Sequence, residues 1–170
     1  MGFVLVLGGA RSGKSALAMR LALESKLAVT VIATATAGDD EMAERIRQHR
    51  ESRPASWKTV EEPIDLLGAI RASPAGDFLV VDCLTLWVTN LLVSGRGAVD
   101  FGGLADPVAR ELHRRRGVVV SNEVGMGIVP VNELARQFRD VLGFVNTRFA
   151  ESAERNLLMV AGRGVELSPI

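Results

Sequence analysis

Five short apolar runs alternate along the chain with longer stretches of helical periodicity. The runs are continuous and rich in β-branched residues, which is typical of strands buried on both faces of a parallel sheet. They predict strands at 3–7, 28–34, 78–82, 117–121 and 156–161. The stretches between them predict helices at 15–25, 40–51, 64–72, 84–92, 104–115 and 132–155. This alternation predicts an α/β fold with a mostly parallel central sheet flanked by helices.

The remaining segments are less regular. Residues 57–63 (WKTVEEP) predict a short extended piece before the proline, and residues 94–103 (SGRGAVDFGG) predict a surface loop. Because 170 residues suffice for one domain to bury a core, we expect residues 1–170 to form a single α/β domain.

The first predicted strand leads into GGARSGKS, which matches the phosphate-loop pattern G-x-x-x-x-G-K-[ST] and opens a predicted helix. Its glycines let successive backbone N–H groups point at phosphate oxygens, and the helix N-terminus adds its positive dipole end. In such a loop Lys14 reaches the β- and γ-phosphates, and the Ser15 hydroxyl binds Mg²⁺. The pattern predicts a P-loop NTPase-like nucleotide-binding domain; the alternative is a glycine-rich turn with an incidental Lys-Ser pair. The predicted nucleotide contacts are Gly8, Gly9, Ala10, Arg11, Ser12, Gly13, Lys14 and Ser15.

A carboxylate that binds magnesium is expected at the end of another strand, and Asp82 follows the apolar run FLVV. Phosphoryl-transfer sites of this class need such an acid, so we predict Mg²⁺ ligands at Ser15 and Asp82. The alternative is that Asp82 caps the helix predicted from Leu84, and the two roles are compatible.

His49 is one of only two histidines, and it lies among Arg45, Arg47, Arg50 and Arg53. In the predicted helix 40–51 it shares a stripe with Met42 and Ile46, so we expect its side chain to point where the apolar face points, away from solvent. A neutral imidazole that faces a bound phosphate can attack phosphorus and form a covalent nucleotidyl-histidine. A buried structural imidazole is the alternative. The arginine forks favour the first interpretation, because they suit phosphates better than a core.

Two further groups of polar residues follow predicted strands. A carboxylate at Glu61 or Glu62 can accept hydrogen bonds from the edge of a guanine base, or it can mark the start of the next helix. Thr34 and Thr36 lie at the end of the second predicted strand and are as readily turn formers as ligands.

Composition narrows the choice of partners. The formal net charge is zero, so the overall charge gives no indication of nucleic acid or an anionic membrane as a partner. The single cysteine, Cys83, cannot form an intrachain disulfide, and no cysteine and histidine spacing typical of zinc sites occurs. The N-terminal apolar run lacks a basic leader and is far shorter than the ~20 residues of a membrane span. We therefore expect a cytoplasmic protein.

Several blocks of sequence together resemble one family. They are GGARSGKS, DDEMAERI with the HR, RP, W and EEP that follow it, VVDCLTLWVTNLL, and VSNEVGMGIVP with the amphipathic segment after it. They are similar to the bifunctional adenosylcobinamide kinase / adenosylcobinamide-phosphate guanylyltransferase family of cobalamin biosynthesis, over nearly the whole chain. The resemblance implies that ATP or GTP phosphorylates the aminopropanol hydroxyl of adenosylcobinamide. GMP is then transferred from GTP to that phosphate through a GMP-histidine, with release of pyrophosphate.

The resemblance also implies an assembly and a set of site residues. The reactive histidine falls on His49, and the family assembles as a homotrimer. Together with Lys14 of the phosphate loop, His49 is the predicted catalytic pair. Asp82 stands where relatives often have Glu, which changes reach but not charge. Beyond the phosphate loop, the nucleotide contacts fall on Thr34, Ala35, Thr36, Arg50, Glu51, Ser52, Arg53, Glu61 and Asp82.

Other functions remain open at this level. One is a small-molecule kinase without guanylyl transfer, in which His49 only packs. Another is a GTP-dependent switch, which would be expected to carry an N/TKxD-like motif that the sequence lacks. The segment VGMGIVP (124–130), which follows Asn122 and Glu123, is either a cover for a corrinoid face or a connector before the last helix.

Overall fold

The computed structural model describes residues 2–94 and 99–169. Its strands are β1 (Phe3–Gly8), β2 (Val29–Ala33), β3 (Lys58–Glu61), β4 (Phe78–Asp82), β5 (Arg116–Val120), β6 (Arg155–Val160) and β7 (Arg163–Leu167). Its helices are α1 (Lys14–Glu24), α2 (Asp40–Glu51), α3 (Leu66–Ala72), α4 (Leu84–Val93), α5 (Phe101–His113) and α6 (Glu133–Ser152).

The strands form one sheet in the order β3-β2-β4-β5-β1-β6-β7. The first six are parallel to their neighbours, and β7 is antiparallel to β6. The register brings the ends of neighbouring strands to one edge, because Asp82 lies beside both Ala33 and Val120. The predicted α/β fold with a mostly parallel sheet is therefore confirmed, and the segments that follow β1 to β5 meet at its carboxyl edge.

Helices cover both faces of this sheet, which explains the continuous apolar strands. Along β1, Leu5 belongs to a core formed with α3, α4, α5 and α6, while Val6 belongs to a second core formed with α1. Both side chains are fully buried, so the strand has apolar residues on both faces rather than apolar and polar residues in alternation. Within the described residues, no helix combines the length and the apolar composition that a membrane span requires.

Helices α5 and α6 each have a boundary that differs from the predicted one. Helix α5 begins at Phe101, within the predicted loop 94–103, because the Asp100 carboxylate accepts a hydrogen bond from Gly103 N at 2.9 Å and caps the first turn. Residues 95–98 of that predicted loop lie outside the described part of the chain. Helix α6 ends at Ser152 rather than near 155, because Ala153 is already extended as the chain enters β6.

The apolar pattern does not predict strand β7. All five of its residues are exposed, so it has no buried run to mark it. The hairpin turn between β6 and β7 consists of Ala161 and Gly162, and both have positive φ angles, of 50° and 74°. That two-residue geometry fits the twist of a hairpin and was the local signal available in the sequence.

Helix α2 lies outside both cores. Asp39 caps its N-terminus through a 2.7 Å hydrogen bond from Met42 N, and none of its residues is buried. On its outer side Arg47 binds Glu44 and Glu51, and these carboxylates raise the pKa of Arg47. The helix is therefore held by its own capping and ion pairs and by the contacts that it makes at the carboxyl edge.

Candidate active site

A cleft of about 830 Å³ opens at the carboxyl edge of the sheet, between the phosphate loop and α2. Eleven of the predicted site residues line it: Ala10, Arg11, Lys14, Ser15, Ala35, Thr36, His49, Arg50, Arg53, Glu61 and Asp82. A smaller adjoining recess is lined by Ser12, Gly13 and His49 together with other phosphate-loop residues. The fold thus brings most of the predicted residues, which are spread over more than seventy positions, into one place.

The phosphate loop has the backbone that its glycines predict. Gly13 has φ of 100°, a left-handed value that side chains disfavour, and α1 begins at the next residue. A Cβ at Gly8 would lie 2.4 Å from the carbonyl oxygen of Met159, so only glycine fits beside β6. The loop is also tied to the last hairpin, because Gly162 N donates to Ser12 O at 2.9 Å.

Lys14 lies folded into this loop. Its Nζ donates to Gly9 O at 2.6 Å, and the residue is only 8% exposed. Burial lowers the pKa of Lys14, and the negative charge of Asp82 opposes that shift. A phosphate chain in the cleft would give the ammonium group a stronger partner than a single backbone carbonyl.

Asp82, at the end of β4, contacts His49 of α2 and Arg53, which follows that helix. Its Oδ2 accepts a 3.0 Å hydrogen bond from Arg53 Nη2 and lies 3.7 Å from His49 Nδ1. The Arg53 side chain is 11% exposed and that of Asp82 is 23% exposed, so the pair is largely shielded from water. Asp82 does not cap α4, whose N-cap is Cys83 without a side-chain hydrogen bond, so the capping alternative is wrong.

His49 lies on the predicted stripe with Met42 and Ile46, and all three line the cleft. The expectation that the imidazole points away from solvent is wrong, because its side chain is 50% exposed. The reason is that the apolar face of α2 looks over an open cleft rather than over a core. The buried structural imidazole is thereby excluded as well.

Glu61, the last residue of β3, and Glu62, which follows it, have different contacts. Glu61 lines the cleft and pairs with Arg50 at 3.3 Å. Glu62 turns the other way, and its Oε1 accepts hydrogen bonds from Ile64 N and Asp65 N at 2.9 and 2.8 Å just before α3. Glu62 thus marks the start of the next helix, whereas the carboxylate that lines the cleft is Glu61.

Several predicted contacts have other partners. The Thr34 hydroxyl is fully buried, donating to Cys83 O at 2.7 Å and accepting from Cys83 N at 2.9 Å. Glu51 binds Arg47 on the outer side of α2, and Ser52 Oγ donates to His49 O at 2.9 Å. Gly8 and Gly9 contribute backbone carbonyls, to Glu123 N and Lys14 Nζ.

Part of the cleft wall was not singled out from the sequence. Thr85, in the first turn of α4, lines the cleft and accepts a 2.8 Å hydrogen bond from Asn122 N. Cys83 also lines it, and burial raises the pKa of the Cys83 thiol to about 11. The signal for Thr85 was its place three residues after a strand-end aspartate, where the next helix begins.

Few side chains in the cleft could bind a metal ion. Within residues 2–94 and 99–169, no group of three or more His, Cys, Asp or Glu side chains is placed to hold a metal ion. The cleft does hold the Ser15 hydroxyl and the Asp82 carboxylate. Such a pair suits Mg²⁺, which typically takes one or two protein ligands and completes its shell with water and substrate phosphates.

Comparison with known families gives a match over most of the chain. Residues 4–167 match the CobU family, described as cobinamide kinase / cobinamide phosphate guanyltransferase. The chain belongs to this family. It is therefore a transferase of cobalamin biosynthesis with kinase and guanylyltransferase roles, and the resemblance seen in the sequence is confirmed.

Curated relatives of this CobU-family chain cover almost its full length. It is 50% identical over 161 residues to the bifunctional adenosylcobalamin biosynthesis protein CobP of Pseudomonas aeruginosa, covering 93% of this chain and 92% of that protein. It is 41% identical over 180 residues to CobU of Salmonella typhimurium, covering 96% and 98%.

Solved structures agree on the fold alone. An ATPase of a bacterial type III secretion system aligns with a TM-score of 0.56 at 11% identity, over 97% of this chain and 56% of that one. The RadB recombinase aligns with a TM-score of 0.52 at 14% identity, over 92% and 73%. The CobU-family chain thus has the P-loop NTPase fold.

Proposed function

We propose that this protein phosphorylates the aminopropanol hydroxyl of adenosylcobinamide with ATP or GTP, and then transfers GMP from GTP to the new phosphate through a GMP adduct of His49. The observation that carries the proposal is the position of His49, which lines the same cleft as Lys14 and the same recess as Ser12 and Gly13. A histidine beside a phosphate loop brings a nucleophile to a bound triphosphate.

In the kinase step, the backbone N–H groups of the phosphate loop and the helix dipole of α1 hold the triphosphate. Lys14 leaves Gly9 O for the β- and γ-phosphate oxygens and balances charge as the γ-phosphoryl group moves to the acceptor hydroxyl. Ser15 and Asp82 would hold Mg²⁺, which supplies further charge neutralisation when bound.

In the guanylyl step, a ring nitrogen of His49 attacks the α-phosphorus of GTP. A phosphorus–nitrogen bond forms, the bond to the bridging oxygen breaks, and pyrophosphate leaves. A phosphate oxygen of adenosylcobinamide phosphate then attacks the same phosphorus, and the phosphorus–nitrogen bond breaks to return the imidazole. Arg50 and Arg53 lie close to His49 in the cleft wall and offer forked donors to the phosphate chain.

Glu61 gives the site a means to read the base. Its carboxylate lines the cleft next to Arg50, and it can accept hydrogen bonds from guanine N1–H and the exocyclic amine. Adenine offers no such pair of donors on that edge, so this contact favours GTP as the nucleotidyl donor. Ala35 and Thr36 line the cleft after β2 and complete the proposed nucleotide contacts.

The family resemblance extends the proposal to the assembly. We include a cytoplasmic homotrimer in it, and sedimentation equilibrium of the purified protein tests the subunit number.

Incubation with GTP labelled at the α-phosphate tests the chemistry. We expect acid-labile, base-stable label on the protein, loss of that label in His49→Ala, and survival of adenosylcobinamide phosphorylation in the same variant. His113→Ala is the matched control, because that imidazole binds Ser152 O far along the chain from the cleft residues and should leave the label intact. Lys14→Ala should damage both half-reactions, because both use the triphosphate.

The absence of label on the wild-type protein, with phosphorylation intact, would refute the nucleotidyl-histidine. It would leave a corrinoid kinase that performs only the first step. Equal loss of both steps in His49→Ala would contradict the separate roles of His49 and Lys14.

A further inference from the structure

The two ring nitrogens of His49 have different surroundings. Nδ1 lies 3.7 Å from Oδ2 of Asp82, which is part of the wall of the larger cleft. The imidazole also lines the smaller recess, together with residues 11–16 of the phosphate loop. Because the two nitrogens point away from each other across the ring, the nitrogen that remains for the phosphates is Nε2. The fold therefore distinguishes two atoms that the sequence treats alike.

The Asp82 carboxylate is held from its other side. Arg53 Nη2 donates to Oδ2 at 3.0 Å, and the Arg53 side chain is largely buried. Asp82 is also the last residue of β4, a strand that pairs with both β2 and β5. The carboxylate thus belongs to the rigid part of the cleft wall, whereas the His49 side chain is half exposed. This difference makes Asp82 the group that orients the imidazole.

The hydrogen bond of one ring nitrogen decides where a neutral imidazole carries its single proton. An ionised carboxylate accepts hydrogen bonds and donates none, so Asp82 favours the tautomer with the proton on Nδ1. The distance of 3.7 Å exceeds the ~3.0 Å of a hydrogen bond by less than about 1 Å, which a small side-chain rotation closes. A carboxylate oxygen accepts more than one hydrogen bond, so Arg53 keeps its own contact.

This tautomer has its lone pair on Nε2. When Nε2 attacks the α-phosphorus of GTP, a phosphorus–nitrogen bond forms, and pyrophosphate leaves with the electron pair of the bond that breaks. The proton on Nδ1 stays in place, so the ring of the adduct is positively charged, and the Asp82 carboxylate balances that charge at short range. A charged ring is also the better leaving group when a phosphate oxygen of the acceptor attacks, and Nε2 then regains its lone pair.

We propose that Asp82 is a positioning residue for the guanylyl step: it holds the Nδ1 proton of His49, so that Nε2 is the atom that bonds to GMP. This inference rests on the proposed function and names the reacting nitrogen and the residue that selects it. It is compatible with the magnesium role proposed for Asp82, because Arg53 and His49 both face Oδ2, which leaves Oδ1 for a metal ion.

The position of GMP on the imidazole ring tests the inference. The wild-type protein is treated with GTP and digested with trypsin at alkaline pH, and the peptide of residues 48–50 (QHR) is examined by proton–phosphorus correlation NMR. Nε2 lies between two C–H carbons, so phosphorus on Nε2 correlates with both ring protons. Nδ1 has a single C–H neighbour, so phosphorus on Nδ1 correlates with one ring proton only. We expect both ring protons to correlate in the wild type.

Asp82→Ala separates this role from metal or phosphate binding. Without the carboxylate nothing holds the proton on Nδ1, so either nitrogen can present the lone pair. We expect the adduct to form about a hundredfold more slowly, and part of the GMP to appear on Nδ1 once incubation is extended until the variant is labelled. Loss of a metal ligand alone slows the reaction but leaves all GMP on Nε2. The matched control is Glu61→Ala, which removes a carboxylate beside Arg50 in the same cleft wall and should give only the Nε2 adduct.

Two outcomes would overturn the inference. One is GMP on Nδ1 in the wild type, a result that does not depend on whether any variant folds. The other is GMP on Nε2 alone in Asp82→Ala protein whose circular dichroism matches that of the wild type. The failure of the proposed function looks different, because the wild type would then carry no adduct at all. An Nδ1 adduct supports that function and refutes only the role of Asp82.

Discussion

The Thr34 hydroxyl is expected to stabilise the fold rather than to bind nucleotide, and Thr34→Val separates these roles. The substitution keeps the shape of the side chain but removes a hydroxyl that joins the N–H and C=O of Cys83 at 2.9 and 2.7 Å. The carbonyl retains a 3.2 Å hydrogen bond from Trp87 N. The N–H group of Cys83 loses the Thr34 hydroxyl as its acceptor. Because Thr34 is fully buried, the acceptor is lost at a buried position.

The magnitude follows from these contacts. A buried donor left without a partner costs about 1–3 kcal/mol, and the second hydrogen bond contributes about 0.5–1.5 kcal/mol. We therefore expect Thr34→Val to lower the free energy of unfolding by about 2–4 kcal/mol. With a urea m-value of about 2 kcal/mol/M, the unfolding midpoint should fall by about 1–2 M.

Thr36→Val is the matched control, because it makes the same chemical change two residues later. Thr36 is exposed and lines the cleft, so its loss should alter the free energy of unfolding by less than about 0.5 kcal/mol. Urea unfolding followed by circular dichroism, together with the Kd for GTP, checks both variants. If Thr34→Val unfolds at the wild-type midpoint but binds GTP more weakly, the structural role assigned to Thr34 is refuted.

Two further predictions follow from the titration of cleft residues. Burial holds the pKa of Lys14 in the folded protein below its value of ~10.4 in the unfolded chain. In the pH range between the folded and the unfolded pKa, the unfolded chain binds more protons, so the free energy of unfolding rises with pH. Without nucleotide, Lys14→Met should therefore be more stable than the wild type at pH 7. The difference between their urea unfolding midpoints should shrink towards pH 10, and a difference that stays constant with pH would contradict the argument. Because the pKa of the Cys83 thiol is raised to about 11, its alkylation by iodoacetamide at pH 8 should be about a hundredfold slower than that of free cysteine. A comparable rate measured by mass spectrometry would contradict the raised pKa.

The features that the sequence predicts correctly are those written in consecutive residues. The buried strands are continuous apolar runs because both faces of the sheet are covered, and the phosphate loop is one motif between a strand and a helix. The start of α5 was missed because glycines at 102 and 103 read as a loop, whereas the Asp100 cap decides the local structure. Strand β7 was missed because an exposed edge strand has no apolar run to detect.

Contacts between distant segments were beyond the sequence pattern. The pair of Arg53 and Asp82 joins residues that are 29 positions apart, and nothing in either segment specifies the other. The same holds for Thr34 and Cys83, whose hydrogen bonds span 49 positions. Sequence reasoning could place Thr34, Asp82 and Cys83 at the carboxyl edge, because strands end there. It could not decide which of them bind one another and which face the cleft.

Helix α2 explains why a correct periodicity led to a wrong expectation for His49. A stripe at helical spacing shows only that Met42, Ile46 and His49 share a face, and the usual partner of such a face is a core. Here the face looks over the cleft, and it is held there by two ion pairs, Arg53 with Asp82 and Arg50 with Glu61. Partly exposed apolar side chains beside a half-exposed imidazole are therefore best explained by a ligand that covers them, since Met42 and Ile46 would gain burial only when the cleft is filled.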